Sequence, residues 1–391
     1  MQRDFPDLDV DVDEISPTEL KHRLDDGEQY TVLDTRRPED FEAWTITHRN
    51  LEVVNVPFTA FLADDGETPA ETVPDAVPRD VPPERLVTCC AVGVSSFYVA
   101  AFLTREGLPV LALTDGMEGW AGLHEYREVP VDSDATVFQF HRPSSGCLSY
   151  LFISGDEAAA IDPLRAFATE YGAVADERGV SLEYALDTHV HADHVSGVRE
   201  VGDATGCDVV LPAGATDRGL AYDATLVEAG ETLSLGDHDI EVVALPGHTT
   251  EMVGYRFAGA FATGDTLFLD SVARPDLEDP EKARQAAGTL WETLQGLASF
   301  PDDLVIAPAH VGPTTAPRES GTFTAPLGEL RSSLQAFEDS REAFIERVLS
   351  DLPPRPPNFE EIIEINLGQA TADSEEAFEL ELGPNNCAVS E

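Results

Sequence analysis

The segment DTHVHADHVSG, residues 187–197, concentrates side chains that bind metal ions. It holds three of the ten histidines of the chain, and four of its side chains, His189, His191, Asp193 and His194, form the pattern HxHxDH. In an extended backbone, residues two apart point to the same side, so His189 and His191 are expected to face one cavity. Neutral imidazole and carboxylate suit Zn²⁺, Fe²⁺ or Mn²⁺. The segment therefore predicts a metal site.

Three later segments carry the same kinds of side chain next to apolar runs. They are PGHTTEMVGY with His248, ATGDTLFLD with Asp265, and VIAPAHVG with His310. Neighbouring Gly, Pro and Thr indicate turns at the ends of strands. Several strands that deliver such residues at their carboxyl ends predict one shared site. These segments contain no cysteine, which disfavours a closed structural zinc site.

A second chemical motif lies in the N-terminal half, where the strand-like LVTCC ends at Cys90. A short loop, residues 91–95, then leads into the helix-like SSFYVAAFL. The N–H groups of such a loop and the positive end of the helix favour a thiolate. The other cysteines carry no such context. Cys147 and Cys207 are expected to be small buried hydrophobes, and Cys387, in the acidic C-terminal tail, an exposed thiol.

The elements that must position these residues change character near residues 126–136. Before this point strands such as TVLDT, LVTCC and PVLALTDG alternate with helix-like stretches. This alternation predicts an α/β domain, a small parallel sheet with helices on both faces. After it, TVFQF and CLSYLFISG predict antiparallel strands, followed by the helix AFATEYGAVADERG. We therefore expect two domains, residues 1–130 and 131–391.

The charge of the chain excludes some classes of partner. Seventy-four acidic residues face 24 basic ones, a formal net charge of −50, so binding to nucleic acid or to an anionic membrane is not expected. No stretch approaches the ~20 apolar residues that span a bilayer, and the first residues do not resemble a secretion signal. The five cysteines are odd in number and lack CxxC spacing, which favours a reducing compartment. We expect a cytoplasmic protein of a high-salt organism.

The motifs THVHADH, GHT, GD and PAH, in this order, resemble the ligand series of the metallo-β-lactamase-fold superfamily. The resemblance covers about residues 135–365 and implies an αββα sandwich with a metal site at one edge. Within the superfamily, THVHADHVSG, PGHTTEMVGY, TGDTLFLDSVARPDLED and PPNFEEIIEINLG are most similar to the persulfide dioxygenases. VLDTRRPEDFEAWTI, VTCCAVGVSS and LTDGMEGW resemble a rhodanese-like domain over about residues 10–125.

The resemblance implies that His189, His248 and Asp265 hold one Fe(II) per chain and leave coordination positions open. The implied reaction is oxidation of a small thiol persulfide by O₂ to sulfite and thiol, and Arg274 would bind the carboxylate of the thiol carrier. The remaining residues, His191, Asp193, His194 and His310, would then be hydrogen-bonding residues around the ligands. Alternatively, they complete a site for two zinc or iron ions, in a thioester hydrolase of the glyoxalase II type with an inactive rhodanese module.

The rhodanese resemblance implies that Cys90 carries sulfane sulfur, which would couple sulfur transfer to the oxidation. The cradle around it would consist of Ala91, Val92, Gly93, Val94 and Ser95. Ser95 stands where many thiosulfate sulfurtransferases have arginine, which favours a low-molecular-weight persulfide over thiosulfate as donor. The expected partners are thus a small thiol persulfide and O₂, and the sequence is also compatible with a homo-oligomer.

Overall fold

A computed structural model describes residues 5–6, 8–82, 84–350 and 352–389. The chain forms two compact units. The first ends at Leu123 and includes Arg142–Ser145, and the second comprises His124–His141 and the chain from Gly146 onward. The predicted domain limits at residues 1 and 391 lie outside the described residues. The boundary predicted at residue 130 lies beyond a strand, Glu125–Val129, that belongs to the second unit.

The first unit is built on one small sheet. Its strands are β1 (Asp13–Ile15), β2 (Tyr30–Asp34), β3 (Leu51–Asn55), β4 (Leu86–Cys89) and β5 (Leu111–Leu113), and its helices are α1 (Pro17–Asp25), α2 (Pro38–Ala43), α3 (Val94–Arg105) and α4 (Gly116–Ala121). The strand order β1-β5-β4-β2-β3 is parallel throughout. Successive strand residues enter opposite cores: Val32 packs with Trp120 on one face, and Leu33 packs with Phe102 on the other. The predicted parallel sheet with two covered faces is confirmed.

The second unit contains two sheets. The first consists of β6 (Glu125–Val129), β7 (Thr136–Arg142), β8 (Cys147–Ser154), β9 (Glu157–Ile161), β10 (Ser181–Leu186), β11 (Asp208–Pro212) and β12 (Thr225–Val227), in sequential order. The second consists of β13 (Thr232–Leu235), β14 (His238–Ala244), β15 (Val253–Phe257), β16 (Ala260–Gly264), β17 (Val305–Pro308) and β18 (Ala325–Pro326), also in sequential order.

Helices cover the outer faces of these sheets. They are α5 (Ala168–Arg178), α6 (Val198–Thr205), α7 (Ala283–Leu297), α8 (Leu327–Ser333) and α9 (Arg341–Ser350). Two further helices, α10 (Phe359–Asn366) and α11 (Ser374–Leu380), pack in a cluster with Val195. Tyr171 of α5 packs in a cluster with Leu151 of the first sheet, and Leu290 of α7 packs in a cluster with Phe261 of the second.

The two sheets meet in a shared apolar core, where the rings of Phe152 and Phe257 stack 4.9 Å apart. Each such fully buried side chain contributes roughly 1.5–3 kcal/mol. The predicted αββα sandwich is confirmed. No helix in the described part of the chain has the length and apolar character needed to cross a membrane.

Candidate metal centre

The loops that follow β10, β14, β16 and β17 carry the predicted metal ligands. Glycine precedes two of them for steric reasons. Gly264, before Asp265, has φ +50°, and a Cβ there would lie 2.6 Å from the Thr188 hydroxyl oxygen. Gly247, before His248, has φ +143°, and a Cβ there would lie 2.5 Å from the Cα of Leu290. The GHT and GD motifs therefore contain glycine because the backbone passes close to its neighbours.

His189, His248 and Asp265, which we call the first donor set, lie close together, and their role as metal ligands stays a prediction. The Nε2 atoms of His189 and His248 lie 3.8 and 3.6 Å from Asp265 Oδ2. All three atoms are buried and have no hydrogen-bond partner in the part of the chain that the structure describes. An orphaned buried polar atom costs roughly 1–3 kcal/mol, so three that face one another fit a bound cation.

Hydrogen bonds on the far side of each ring orient the first donor set. His248 Nδ1 lies 2.8 Å from the carbonyl oxygen of Arg274, to which it donates. The Thr188 hydroxyl donates to Asp162 Oδ2 at 3.0 Å and therefore accepts from His189 Nδ1 at 2.9 Å. Both Nε2 atoms thus keep a lone pair for a metal ion, as ligand histidines do. Burial holds the pKa of His189 well below its usual value, so this ring is neutral.

The rings of His189 and His191 lie side by side, with centroids 4.2 Å apart, but His191 Nε2 does not join the first donor set. The segment 187–197 is a loop rather than a strand. His191 Nε2 instead lies 3.2 Å from Asp162 Oδ1 and 3.5 Å from Asp187 Oδ1. Burial alone would lower the pKa of this ring, but the two carboxylates raise it to about 9.

Cys147, Asp193, His194 and His310 form the second donor set, in which one ligand atom from each lies within 4.8 Å of the others. Asp193 Oδ2 accepts hydrogen bonds at 2.8 Å from His310 Nε2 and at 3.2 Å from His194 Nδ1. Burial would lower the pKa of His310, but Asp265 and Asp193 beside it hold that pKa well above its usual range. Without a metal, Asp193, His194 and His310 thus form a cluster of ion pairs.

Two cysteines lie at the centre, and neither fits its expected role. Cys147 is buried, as expected, but its Sγ lies 3.4 Å from Asp193 Oδ2 and 3.4 Å from His310 Nε2 rather than among apolar atoms alone. The expected exposure of Cys387 is wrong, because it is 1% exposed and lies with Asp265 and His310. Its segment is held by pairing with the chain around Ala273. The positions of these two cysteines in the sequence do not predict that either one lies beside the metal ligands.

Arg274 is 1% exposed, and its guanidinium is committed to protein atoms. It pairs with both carboxylate oxygens of Asp276 at 2.8 and 3.1 Å, and it donates to the carbonyl oxygens of Pro354 and Asn386. These contacts anchor the C-terminal segment beside the first donor set. A role of Arg274 in binding a substrate carboxylate stays a prediction.

The predicted cysteine loop of the first unit is formed. Cys90 follows β4 and is 3% exposed, and its Sγ accepts a hydrogen bond from the Ser96 hydroxyl at 3.3 Å. Gly93, in the left-handed conformation, is the N-cap of α3, and no side chain caps that helix, so its first N–H groups stay available. Val92 of the loop is exposed, and so are Val94 and Phe97 of α3, which begins at Val94. The roles of Cys90 and of residues 91–95 stay predictions.

Two family models match this chain. The metallo-beta-lactamase superfamily matches residues 143–310, and the rhodanese-like domain matches residues 16–123. Hydroxyacylglutathione hydrolase from Methylococcus capsulatus is 31% identical over 232 residues, which are 58% of this chain and 83% of that protein. Other relatives of the same name are matched over 56–66% of their length, so the chain spans less than two thirds of those proteins.

Solved structures share the fold. A metallo-beta-lactamase from Staphylococcus aureus matches with a TM-score of 0.53 and 26% identity, over 60% of this chain and 72% of that one. ETHE1 from Myxococcus xanthus matches with a TM-score of 0.52 and 24% identity, over 60% of this chain and 98% of that one. At this identity, the second likeness shows the fold alone.

The predicted activity of a persulfide dioxygenase is wrong, because curated relatives at 28–34% identity are named hydroxyacylglutathione hydrolase. The physical reason is that HxHxDH, GHT and GD specify which atoms bind a metal and do not specify the reaction, since one fold hosts many chemistries. The segment DSVARPDLED favoured oxidation, but its arginine is buried against Asp276. Both the relatives and the converging donor atoms establish that the chain is a metal-binding member of the metallo-beta-lactamase superfamily that also carries an N-terminal rhodanese-like domain.

Proposed function

We propose that the second unit is a metal-dependent thioester hydrolase whose substrates are hydroxyacyl thioesters of glutathione. The observation that carries the proposal is the junction between the two donor sets. Asp265 faces His189 and His248 through Oδ2, and through Oδ1 it accepts a hydrogen bond from His310 Nδ1 at 2.5 Å. Two cations held by such linked sets can act on one substrate group. The name of the curated relatives supports the same class of reaction.

The cofactor that we propose is a pair of zinc or iron ions, one in each donor set. Bound divalent cations supply Lewis-acid activation of water and of a carbonyl oxygen. The protein contributes donors of fixed orientation: the Arg274 carbonyl and the Thr188 hydroxyl hold the protons of His248 and His189 on Nδ1. Asp265 Oδ1 likewise holds the Nδ1 proton of His310, so that Nε2 of that ring faces the second donor set.

The test is cleavage of S-lactoylglutathione by the full chain, followed without O₂ as loss of thioester absorbance. Removal of metal with a chelator should abolish cleavage, and added zinc or iron should restore it. His189→Ala and Asp265→Ala should lower kcat/KM by more than the roughly 10–100-fold that follows loss of an outer contact. His238→Ala is the matched control, since His238 lies on β14 and bonds Ser154 rather than either donor set.

Two results would contradict the proposal. One is a metal-loaded chain, with both donor sets filled, that leaves the thioester intact. The other is cleavage that persists after the metal has been removed, because the reaction would then use residues outside the two donor sets.

A further inference from the structure

The sulfur atom of Cys147 lies in a polar environment. Cys147 is the first residue of β8 and belongs to the apolar cluster under α5 and α6. Its Sγ, however, is 3.4 Å from Asp193 Oδ2 and 3.4 Å from His310 Nε2, both on loops far away in sequence. A buried cysteine used only for packing would place its sulfur against carbon atoms.

The spacing of these atoms suits a single tetrahedral ion. With bonds of about 2.3 Å to sulfur and about 2.0 Å to nitrogen or oxygen, ligand atoms lie roughly 3.3–3.6 Å apart. The two sulfur distances of 3.4 Å fall in this range, and the 3.2 Å between His194 Nδ1 and Asp193 Oδ2 is close to it. That 3.2 Å contact and the shorter 2.8 Å contact of His310 with Asp193 are hydrogen bonds whose protons a bound cation would replace.

A second observation also indicates a ligand. Asp193 Oδ1 and His194 Nε2 are buried without a hydrogen-bond partner among the residues that the structure describes. These are the second heteroatoms of their side chains, because Asp193 Oδ2 and His194 Nδ1 already share a hydrogen bond within the second donor set. Buried polar atoms without a partner require an explanation such as an unseen ion.

We propose that Cys147 is a thiolate ligand of the metal ion in the second donor set. This set is then a Cys–Asp–His–His site, whereas the first donor set contains no sulfur. Binding breaks the S–H bond of Cys147, releases its proton to solvent and forms a metal–sulfur bond, without oxidation or reduction. Because thiolate favours soft cations, the second position selects zinc over iron or manganese. The inference rests on the proposed function only in that it concerns the second ion of the same centre.

The test uses the full chain loaded with two cobalt(II) ions, because a cobalt–thiolate bond gives an intense charge-transfer band in the near ultraviolet. We expect this band in the native chain and its loss in Cys147→Ser. The affinity for the second ion should fall more than about 100-fold, beyond the effect of losing an outer contact, while the first ion stays bound. Cys387→Ser and Cys207→Ser are matched controls that should keep the band. Cys387 lies beside the centre, and Cys207 lies outside both donor sets.

A measurement on the native chain covers the case in which Cys147→Ser does not fold. X-ray absorption at the zinc edge of the two-zinc protein should show a sulfur neighbour at about 2.3 Å. Absence of that sulfur, or a cobalt band that disappears in Cys387→Ser instead, would overturn the assignment. The thioester assay is read separately. A zinc–sulfur bond in a chain that cleaves no thioester would refute the proposed function and leave this ligand in place.

Discussion

A single hydroxyl group links a metal donor to a buried carboxylate. Thr188 Oγ1 lies 2.9 Å from His189 Nδ1 and 3.0 Å from Asp162 Oδ2, and Asp162 Oδ1 also accepts the Thr188 backbone N–H at 2.7 Å. This chain of hydrogen bonds fixes both the orientation and the tautomer of the His189 ring. Outer partners of this kind typically change metal affinity 10–100-fold. We therefore expect Thr188 to raise the metal affinity of the first donor set by holding the His189 ring in place.

Replacement of Thr188 by valine should separate this role from packing, since the two side chains have nearly the same shape. We expect metal affinity of the first donor set to fall roughly 10–100-fold and stability to fall by about 1–3 kcal/mol, because Asp162 loses a buried donor. Chelator competition and urea unfolding measure the two effects. Thr249→Val is the control: Thr249, next to His248, is buried and its hydroxyl has no partner among the described residues. Equal losses in both variants would contradict the assigned role.

The sequence could predict the first donor set but not its surroundings. His189, His248 and Asp265 follow apolar strands at motifs of defined spacing, so their convergence follows from the fold. The orientation of His191 depends on Asp162, 29 residues earlier. The polar contacts of Cys147 depend on His310, 163 residues later. Contacts at such separations are set by tertiary packing, and the local sequence pattern does not predict them.

At the scale of elements, the turns that deliver the ligands leave no room for side chains. Gly247 passes Leu290 of α7 so closely that a Cβ would meet both the backbone and the Cβ of that residue, at 2.5–2.8 Å. α7 cannot easily move away from Gly247, because Leu290 is fully buried in the apolar cluster between the second sheet and its helices. The position of His248 is thus coupled to the packing of α7.

Gly247→Ala should therefore displace the loop of His248 or α7. A φ of +143° costs an alanine about 1–3 kcal/mol, and the clash should add to this cost and lower metal occupancy. Gly259→Ala is the comparison for a positive φ without a clash, because Gly259 has φ +89° and open space where the Cβ would lie. Urea unfolding and metal content per chain measure the difference. Similar losses in the two variants would show that the contact with Leu290 is easily relieved.

Long apolar strands were predictable, whereas short or charged ones were not. β8 is buried along its whole length and β9 along most of it, and both are evident from composition. β6, with the sequence EYREV, looks like a break between domains because its centre is charged and exposed. It is a strand because it pairs with β7 in an antiparallel register, Glu125 opposite His141. Edge strands of this kind obtain their structure from a partner rather than from their own pattern.

At the scale of the whole molecule, the excess of negative charge dominates. The formal net charge is −50, and part of the acidic surface is paired. Arg284, for example, contacts Glu342 and Glu346 on α9. Exposed pairs of this kind contribute only about 0–1 kcal/mol each, and 24 basic residues cannot neutralise 74 acidic ones. Repulsion among the remaining carboxylates opposes the folded state at low salt.

Thermal stability should therefore rise with salt, most steeply where screening changes most. The Debye length falls from about 10 Å at 0.1 M to about 3 Å at 1 M. The rise in Tm from 0.05 to 0.5 M KCl, measured by circular dichroism, should thus exceed the rise over any later interval of equal width. About 1 kcal/mol moves the Tm of a 150–250-residue unit by roughly 2–4 °C, so the shift is measurable. Sucrose at matched osmolality, which acts by exclusion from the surface, should not reproduce the early rise. A flat or falling Tm over the low-salt interval would mean that ion pairs already balance the acidic surface, and the inference of a high-salt organism would lose its physical basis.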